Sequence, residues 1–341
     1  MKVLLIKTSS LGDVIHALPA VTEANQRVKG LELTWVVEEG LVDIAGMHPS
    51  VTRVIPVANR RWRRAWWRYR AEIRAFVAEL QDTEYDLVID SQGLTKSGLL
   101  TVLARGEVHG YSNKSAKESL AASFYHRNYD IDLNQHAIVR QKQLLAASLG
   151  YQTGMEVDYG LRQAAGSEKN LFLLHGTTWP SKEWPLRHWQ ALADLVVEKG
   201  YRVLLPAGSD AERQTAKTIL RDRPGEVLFG RSLSELAETI RQSAGAVSVD
   251  TGLGHLTAAL GVPVVGLYGA TDPVLTGVAG QRVGLIVSDY LPCIPCKKRE
   301  CSFPIEEDSS SIYPPCFSQT TPERVWQALQ LQIGSKDTRP G

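Results

Sequence analysis

The chain has 341 residues, of which 43% are hydrophobic, and its 38 Lys and Arg side chains nearly balance its 37 Asp and Glu side chains. This balance excludes a global field that would select nucleic acid or an anionic membrane, so any basic site must be local. The length allows two domains of ordinary size. No apolar run reaches the roughly 18 residues of a membrane span, and Met1–Ile6 is too short for a signal-peptide core. We therefore expect a soluble cytoplasmic protein.

The first predicted strand, Val3–Ile6, leads into a polar loop with Gly12 and then into a helical pattern from Ala17. A loop between a strand and a helix lies at the carboxyl end of a parallel sheet, where open α/β folds bind ligands. Asp13 in this loop could act only as a cap that complements the helix dipole. It could also face a cleft as a general base. This stretch alone leaves both interpretations open.

Further apolar runs, at Leu33–Val37, Val54–Val57 and Leu87–Asp90, alternate with helical stretches. This alternation predicts a parallel sheet with helices on both faces. No Gly-x-Gly-x-x-Gly follows the first strand, which argues against a dinucleotide-dependent dehydrogenase.

Three basic residues of the first half lie near predicted loops. Lys96 follows the strand that ends at Asp90, at the same sheet edge as Asp13, and could meet an anionic substrate or only be solvated. Lys117 belongs to a second small basic cluster. Arg140 shares a predicted helix face with His136, four residues before it, and this face could point at the same cleft.

The segment 60–74 contains seven arginines, and apolar residues recur every three or four positions from Trp62 to Leu80. This spacing predicts one amphipathic helix with an arginine face. The helix could simply pack its aromatic side chains and leave its arginines in solvent. Because so many arginines repel one another unless anions neutralise them, we favour a phosphate-binding or membrane-surface site. RNA binding is a weaker alternative for one short patch in a neutral protein.

A second α/β pattern begins after a polar stretch at 163–169, where we place the domain boundary. Its first strand, Leu171–His175, leads into a loop with Thr177, Thr178 and Lys182. Two hydroxyl groups, loop amides and one lysine can form a cradle for a diphosphate. Glu212 lies near the start of the helix after the next strand.

The segment 246–260 has the clearest local pattern of the second half. A strand ends in Asp250-Thr251-Gly252, and a helix with small residues begins at once. Small residues let a ligand approach the backbone, and the amides of a helix N-terminus can stabilise a pyrophosphate without a metal. Alternatively, Asp250 caps this helix and His255 packs in the interior.

The four cysteines of the chain lie close together with the spacing C-x2-C-x4-C-x14-C: Cys293, Cys296, Cys301 and Cys316. A C-x2-C pair can open a zinc site, but the other spacings fit no common zinc finger. We therefore prefer reduced or locally structural thiols and keep a structural metal as the alternative.

Two Rossmann-like halves without a dinucleotide fingerprint suggest a glycosyltransferase of the GT-B type, an α/β protein with two doubly wound domains facing a central cleft. Ordered motifs resemble the ADP-heptose:lipopolysaccharide heptosyltransferases, and most closely the heptosyltransferase I branch. These motifs are residues 7–16, residues 36–40, residues 60–64, Thr177-Thr178 with Lys182 and Trp184-Pro185, and residues 248–252 with residues 255–259. The resemblance implies an acceptor-binding domain at 1–160, a nucleotide-sugar domain at 161–320, and a C-terminal helix and frayed tail at 321–341.

The resemblance also implies a reaction, namely an inverting transfer of L-glycero-D-manno-heptose from ADP-heptose to the Kdo of Kdo2-lipid A without an essential metal. Asp13 would be the general base, and Lys182 would stabilise the departing diphosphate. The implied donor site is Thr177, Thr178, Lys182, Glu212, Asp250, Thr251, Gly252 and His255. The implied acceptor site is Ser10, Arg60, Arg61, Arg63, Arg64, Lys96, Lys117 and Arg140, with Lys117 standing where the family pattern has Arg. The implied protein is a monomer that contacts the cytoplasmic face of the inner membrane and binds no nucleic acid.

Three alternatives remain at this point. The cysteine segment resembles heptosyltransferase II and related core heptosyltransferases, which would change the acceptor. A non-catalytic membrane-surface or RNA-binding module could be built on the Arg/Trp segment. A nucleotide-sugar epimerase or dehydrogenase would require bound NAD.

Overall fold

The computed structural model describes residues 1–164, 169–304 and 312–334. The chain divides into two compact units, Met1–Leu161 and Arg162–Gly341. Each unit is built around a parallel sheet of six strands, and helices connect most of the strands. The predicted fold class, with two Rossmann-like α/β units, is therefore confirmed.

The sheet of the first unit has the order β3-β2-β1-β4-β5-β6. Its strands are β1 (Lys2–Ile6), β2 (Glu32–Glu38), β3 (Val51–Val57), β4 (Glu84–Asp90), β5 (Arg105–Tyr111) and β6 (Arg127–Tyr129). The chain runs outward from β1 to β3 and then returns to the other side of β1, where Ile6 pairs with Asp90. Because the strand order reverses between β1 and β4, the carboxyl ends of these two strands form a ligand-binding position.

The helices of the first unit are α1 (Leu11–Arg27), α2 (Val42–Gly46), α3 (Asn59–Trp62), α4 (Arg70–Gln81), α5 (Thr95–Leu103) and α6 (Ala137–Leu149). The longest of them, α1, packs against α6. Its residues Val14, Ile15 and Leu18 are fully buried. This packing fixes the first turn of α1 relative to the end of β1.

The prediction of one amphipathic helix from Trp62 to Leu80 is wrong. Helix α3 ends at Trp62, and α4 begins only at Arg70. The indole Nε1 of Trp62 donates to Glu72 Oε1 at 3.1 Å, and the Trp62 ring lies 5.3 Å from the Phe76 ring. In a continuous helix Trp62 and Glu72 would lie about 15 Å apart along the axis. The chain turns back at 63–69 because these long-range contacts outweigh the local periodicity.

The sheet of the second unit has the order β12-β11-β10-β7-β8-β9. Its strands are β7 (Asn170–Leu174), β8 (Arg202–Ala207), β9 (Gly225–Phe229), β10 (Gly245–Val249), β11 (Val264–Tyr268) and β12 (Val283–Val287). All neighbouring strands are parallel. Here the order reverses between β7 and β10, so the loops that follow these strands occupy the equivalent ligand-binding position.

The helices of the second unit are α7 (Leu186–Glu198), α8 (Asp210–Leu220), α9 (Leu233–Gln242), α10 (Gly252–Ala259), α11 (Pro273–Thr276) and α12 (Pro322–Gly334). Helix α12 contributes Val325, Trp326 and Leu329 to the core of this unit. The predicted frayed tail after Gly334 lies outside the described residues. Within the described ranges, no helix has the length and apolar composition needed to cross a membrane.

Candidate active site

Asp13 lies in the first turn of α1, just beyond the carboxyl end of β1. Its Oδ2 accepts hydrogen bonds from the backbone N–H of Ser10 at 3.1 Å and from Ser10 Oγ at 3.0 Å. Its Oδ1 lies 3.3 Å from Lys117 Nζ and 3.8 Å from Lys7 Nζ. Since the side chain is 27% exposed, Asp13 supports the helix start and still presents a carboxylate to ligands.

Lys7 is a candidate that the sequence analysis did not single out. It is 1% exposed, and its Nζ donates to the carbonyl oxygen of Ser91 at 3.1 Å. Burial lowers the pKa of Lys7 to about 8, although the charge of Asp13 acts in the opposite direction. A signal was present in the sequence, because a lysine directly after four buried apolar residues must find a partner for its charge.

The environment of Asp13 favours its ionised form. Burial by itself would raise the pKa of this carboxyl, but Lys7, Lys117 and the Ser10 N–H outweigh that effect and hold the pKa far below its usual range. Opposite charges within about 4–6 Å act in this direction. Asp13 is therefore a carboxylate at any pH near neutrality.

A buried polar layer lies beneath these charges at the carboxyl ends of the central strands. Asp90, the last residue of β4, accepts hydrogen bonds from Tyr125 OH at 2.7 Å and from the backbone N–H of Gln92 at 2.8 Å. Several buried polar atoms of the same region have no hydrogen-bond partner among the described residues: Thr8 Oγ1, Ser91 Oγ, Tyr111 OH, Arg140 Nε and Gln141 Oε1. Because buried polar groups are normally paired, such a group of atoms indicates a place for a ligand or ordered water.

A groove of about 690 Å³ runs along the start of α1 and the α3 segment. Its lining includes four arginines, Arg60, Arg61, Arg64 and Arg68, and two acidic residues, Glu38 and Glu39. Arg61 forms ion pairs with Glu39 and Glu72, so its charge is already compensated within the protein. Arg60, Arg64 and Arg68 form no ion pair within the described ranges and are free to bind an anion.

The structure thus separates the predicted acceptor residues into groups. Ser10 and Lys117 contact Asp13 directly. Arg140 is near the buried polar layer, with its guanidinium 5.9 Å from the Tyr111 ring. Arg63 is exposed and does not line the groove, and Lys96 is exposed at the start of α5.

In the second unit, Lys182, Asp250 and His255 form a compact cluster beyond the ends of β7 and β10. Lys182 Nζ lies 2.7 Å from Asp250 Oδ2 and 4.5 Å from the centre of the Trp179 ring. His255 Nε2 lies 3.7 Å from Asp250 Oδ1. Burial would raise the pKa of Asp250, but the hydrogen bond to His255 and the charge of Lys182 hold it well below its usual range.

The remaining predicted donor residues surround the same sheet edge. Glu212 Oε2 accepts a hydrogen bond from the Gly208 N–H at 2.7 Å. Its Oε1 would lie 3.0 Å from a Cβ placed on Gly176, which locates Glu212 beside the loop of Thr177 and Thr178. Thr251 is the N-cap of α10, and Gly252 is its first residue. Asp250 pairs with a lysine and a histidine and is not the cap of this helix.

The four cysteines are free thiols, and all of them line one small cavity. Burial, together with the neighbouring thiols, raises the pKa of Cys316 to about 12, so this thiol is protonated near neutrality. In the described part of the chain, which includes all four cysteines, no group of three or more His, Cys, Asp or Glu side chains could hold a metal ion. The structure therefore gives no support to the hypothesis of a structural metal here.

Two doubly wound units with charged polar clusters at both strand-order reversals are the architecture of glycosyltransferases of the GT-B type. Residues 73–305 match glycosyltransferase family 9 (heptosyltransferase), and the chain belongs to this family.

Individual relatives agree with this assignment. The chain is 44% identical to lipopolysaccharide heptosyltransferase 1 of Pseudomonas aeruginosa, over 99% of both chains. It is also 44% identical to the Escherichia coli K12 heptosyltransferase 1, over 83% of this chain and 92% of that one. The solved structure of the E. coli heptosyltransferase WaaC with ADP superposes with a TM-score of 0.85 at 39% identity, covering 97% of this chain and all of WaaC. The chain is therefore a heptosyltransferase of lipopolysaccharide core synthesis. This assignment argues against two earlier alternatives, a non-catalytic binding module and an NAD-dependent epimerase or dehydrogenase.

Proposed function

We propose that the protein transfers heptose from ADP-heptose to the Kdo of Kdo2-lipid A, with inversion at the anomeric carbon and Asp13 as the general base. The observation that carries this proposal is the ionised, partly exposed Asp13 carboxylate at the strand-order reversal between β1 and β4. The donor is supported by the WaaC relative, whose structures contain ADP and ADP-2-deoxy-2-fluoro heptose.

The chemistry requires one displacement. The acceptor hydroxyl attacks the anomeric carbon from the side opposite to ADP, and Asp13 takes the hydroxyl proton as the new glycosidic bond forms. One direct attack inverts the configuration. An aspartate is suited to this role only when it is ionised, and Lys7 and Lys117 maintain that state.

Departure of ADP leaves negative charge on the diphosphate, and Lys182 is placed to stabilise it. We propose that the diphosphate takes over the interaction that Lys182 now makes with Asp250. The hydroxyl groups of Thr177 and Thr178 and the backbone amides of Thr251 and Gly252 supply further donors, since helix N-termini bind phosphate. In this proposal, these groups carry the charge of the leaving group without an essential metal.

The acceptor carries carboxylates and phosphates, and the groove described above offers cations for them. Arg60 and Arg64 line the groove and form no ion pair with the residues that the structure describes. Lys117 is 42% exposed and is able to leave Asp13 for an acceptor anion. Ser10, Arg61, Arg63, Lys96 and Arg140 complete the proposed acceptor set. A lipid-linked acceptor would place the protein at the cytoplasmic face of the inner membrane. We propose that the protein acts there as a monomer.

A panel of acceptors with ADP-heptose as the fixed donor tests this proposal. We expect ADP release with Kdo2-lipid A and with its deacylated form, and none in the absence of a Kdo acceptor. Turnover only with an acceptor that already carries heptose would overturn the proposal in favour of heptosyltransferase II activity. The reaction product analysed by NMR shows whether the anomeric configuration is inverted.

Replacing Lys7 with Met is expected to change the pH dependence of the reaction. Loss of one of the two ammonium groups raises the pKa of Asp13 toward the usual range of an aspartate, so the acid-side fall in kcat/KM should move to higher pH. The wild-type protein should show no such fall near neutrality, because its Asp13 is ionised there. Lys114→Met, a change at an exposed lysine, should leave the profile unchanged. Superimposable profiles for Lys7→Met and wild type would contradict the role given to Lys7.

A further inference from the structure

Trp66 and Trp67 form an exposed pair of rings in the turn between α3 and α4. They are 65% and 60% exposed. The two rings contact each other edge to face, with centroids 6.3 Å apart and planes at 83°. Contiguous apolar surface left in water, as on these two neighbouring rings, is typical of an interaction site.

The turn that carries these rings is fixed to the unit at both ends. On one side Trp62 is buried against Phe76. On the other side the Arg61 guanidinium lies over the Tyr69 ring at 4.7 Å, and backbone hydrogen bonds close the turn from Arg68 to Ala65. The exposed rings are therefore presented outward by anchored neighbours.

The charge around the pair is positive. Arg63, Arg64, Arg68 and Arg70 are all exposed. Two acidic side chains next to this turn, Glu39 and Glu72, are both paired with Arg61. Within the described ranges no ion pair compensates the other arginines of the turn. Two apolar rings surrounded by uncompensated guanidinium groups match the interface of an anionic bilayer, where tryptophan rings lie at the headgroup level and arginines meet lipid phosphates.

We propose that Trp66 and Trp67 insert into the headgroup region of an anionic lipid bilayer while Arg63, Arg64, Arg68 and Arg70 contact the lipid phosphates. The balanced charge of the chain, with 38 basic and 37 acidic side chains, disfavours RNA as the partner, because nucleic-acid affinity depends on many phosphate contacts and this turn is one short basic patch. Arg64 and Arg68 also line the proposed acceptor groove. Docking by this turn therefore brings that groove to the level of lipid headgroups. Only this last consequence rests on the proposed function, since the lipid contact itself requires no sugar chemistry.

The test compares the full chain with the double variant Trp66→Ser/Trp67→Ser in co-sedimentation with vesicles, without donor or acceptor. The vesicles are phosphatidylcholine alone, or phosphatidylcholine with phosphatidylglycerol. We expect wild type to bind only the anionic vesicles, and the double variant to bind them roughly tenfold or more weakly. Leu331→Ser removes an equally exposed apolar side chain, 73% exposed on α12, and should bind like wild type.

Salt and turnover measurements complete the test. High salt should weaken wild-type binding, because the arginine contribution is screened.

Turnover with a deacylated, water-soluble acceptor should be equal for wild type and the double variant. Absence of that turnover in wild type would count against the proposed function alone. Equal vesicle binding by wild type and double variant would overturn the lipid contact. Tryptophan-dependent binding of an RNA oligonucleotide in place of vesicles would overturn it as well.

Discussion

Asp13→Asn is expected to reduce turnover by about 100- to 10,000-fold, the range typical for loss of a general base. An amide has nearly the same shape as the carboxylate and can still accept the hydrogen bond from the Ser10 N–H, which measures 3.1 Å in the structure. It cannot accept the proton of the attacking hydroxyl. The substitution therefore separates the support of the helix start from catalysis, two roles that the position of Asp13 combines.

The measurement is ADP release from ADP-heptose with a Kdo acceptor, together with ADP binding and thermal unfolding of the variant. ADP binding should stay close to that of wild type, whereas the unfolding temperature should fall, because the buried Lys7 loses its carboxylate partner. Asp43→Asn changes another acidic residue in the first turn of a helix and should have no effect on turnover. If Asp13→Asn retained most of the wild-type rate, another group would have to accept the proton.

Lys182→Met is expected to lower kcat by about 100- to 1000-fold, as is typical when one group that stabilises developing charge is removed. Charge on the diphosphate grows as the bond to the anomeric carbon breaks, so the lysine acts more strongly on the transition state than on bound donor. The value of kcat should therefore fall more than KM rises. Lys182→Arg keeps the charge and should recover part of the loss.

Two controls distinguish this effect from a folding defect. Lys182 now lies 2.7 Å from Asp250, so its removal takes away the cationic partner of that carboxylate, and thermal unfolding of the variant must be measured. Lys199→Met, at an exposed position after α7, should match wild type in both rate and stability. An unchanged kcat in a folded Lys182→Met protein would show that other groups carry the charge of the leaving diphosphate.

The central strands of both sheets were predictable because they are mostly apolar runs, as in Leu4–Ile6 and Leu171–Leu174. The outer strands β5, β6, β9 and β12 were not predicted. β5 has the sequence Arg-Gly-Glu-Val-His-Gly-Tyr. Its last four residues are all buried, so exposed and buried positions do not alternate regularly along it. Such strands form because a neighbouring strand offers hydrogen bonds, and no local sequence pattern records that neighbour.

The candidate site divides in the same way. The loops with Asp13 and Asp250 were predictable, because a strand followed by a polar loop and a helix is a local pattern. The role of Lys7 was not, since it depends on burial next to Ser91, 84 positions away. The turn at 63–69 was mispredicted as helix. Apolar residues recur there with helical spacing, but the hydrogen bond from Trp62 to Glu72 requires the chain to turn back.

The sequence by itself therefore determined that this protein has two α/β units and that polar loops follow their central strands. Apolar runs and strand–loop–helix order are properties of neighbouring residues, so they can be recognised in the sequence without the tertiary structure. Only the tertiary structure decided which charges meet. Lys117 and Asp13 are 104 positions apart, and Lys182 pairs with Asp250 across two neighbouring strands. These pairs exist because packing brings the strand ends together and because a charge withdrawn from water requires an opposite charge nearby.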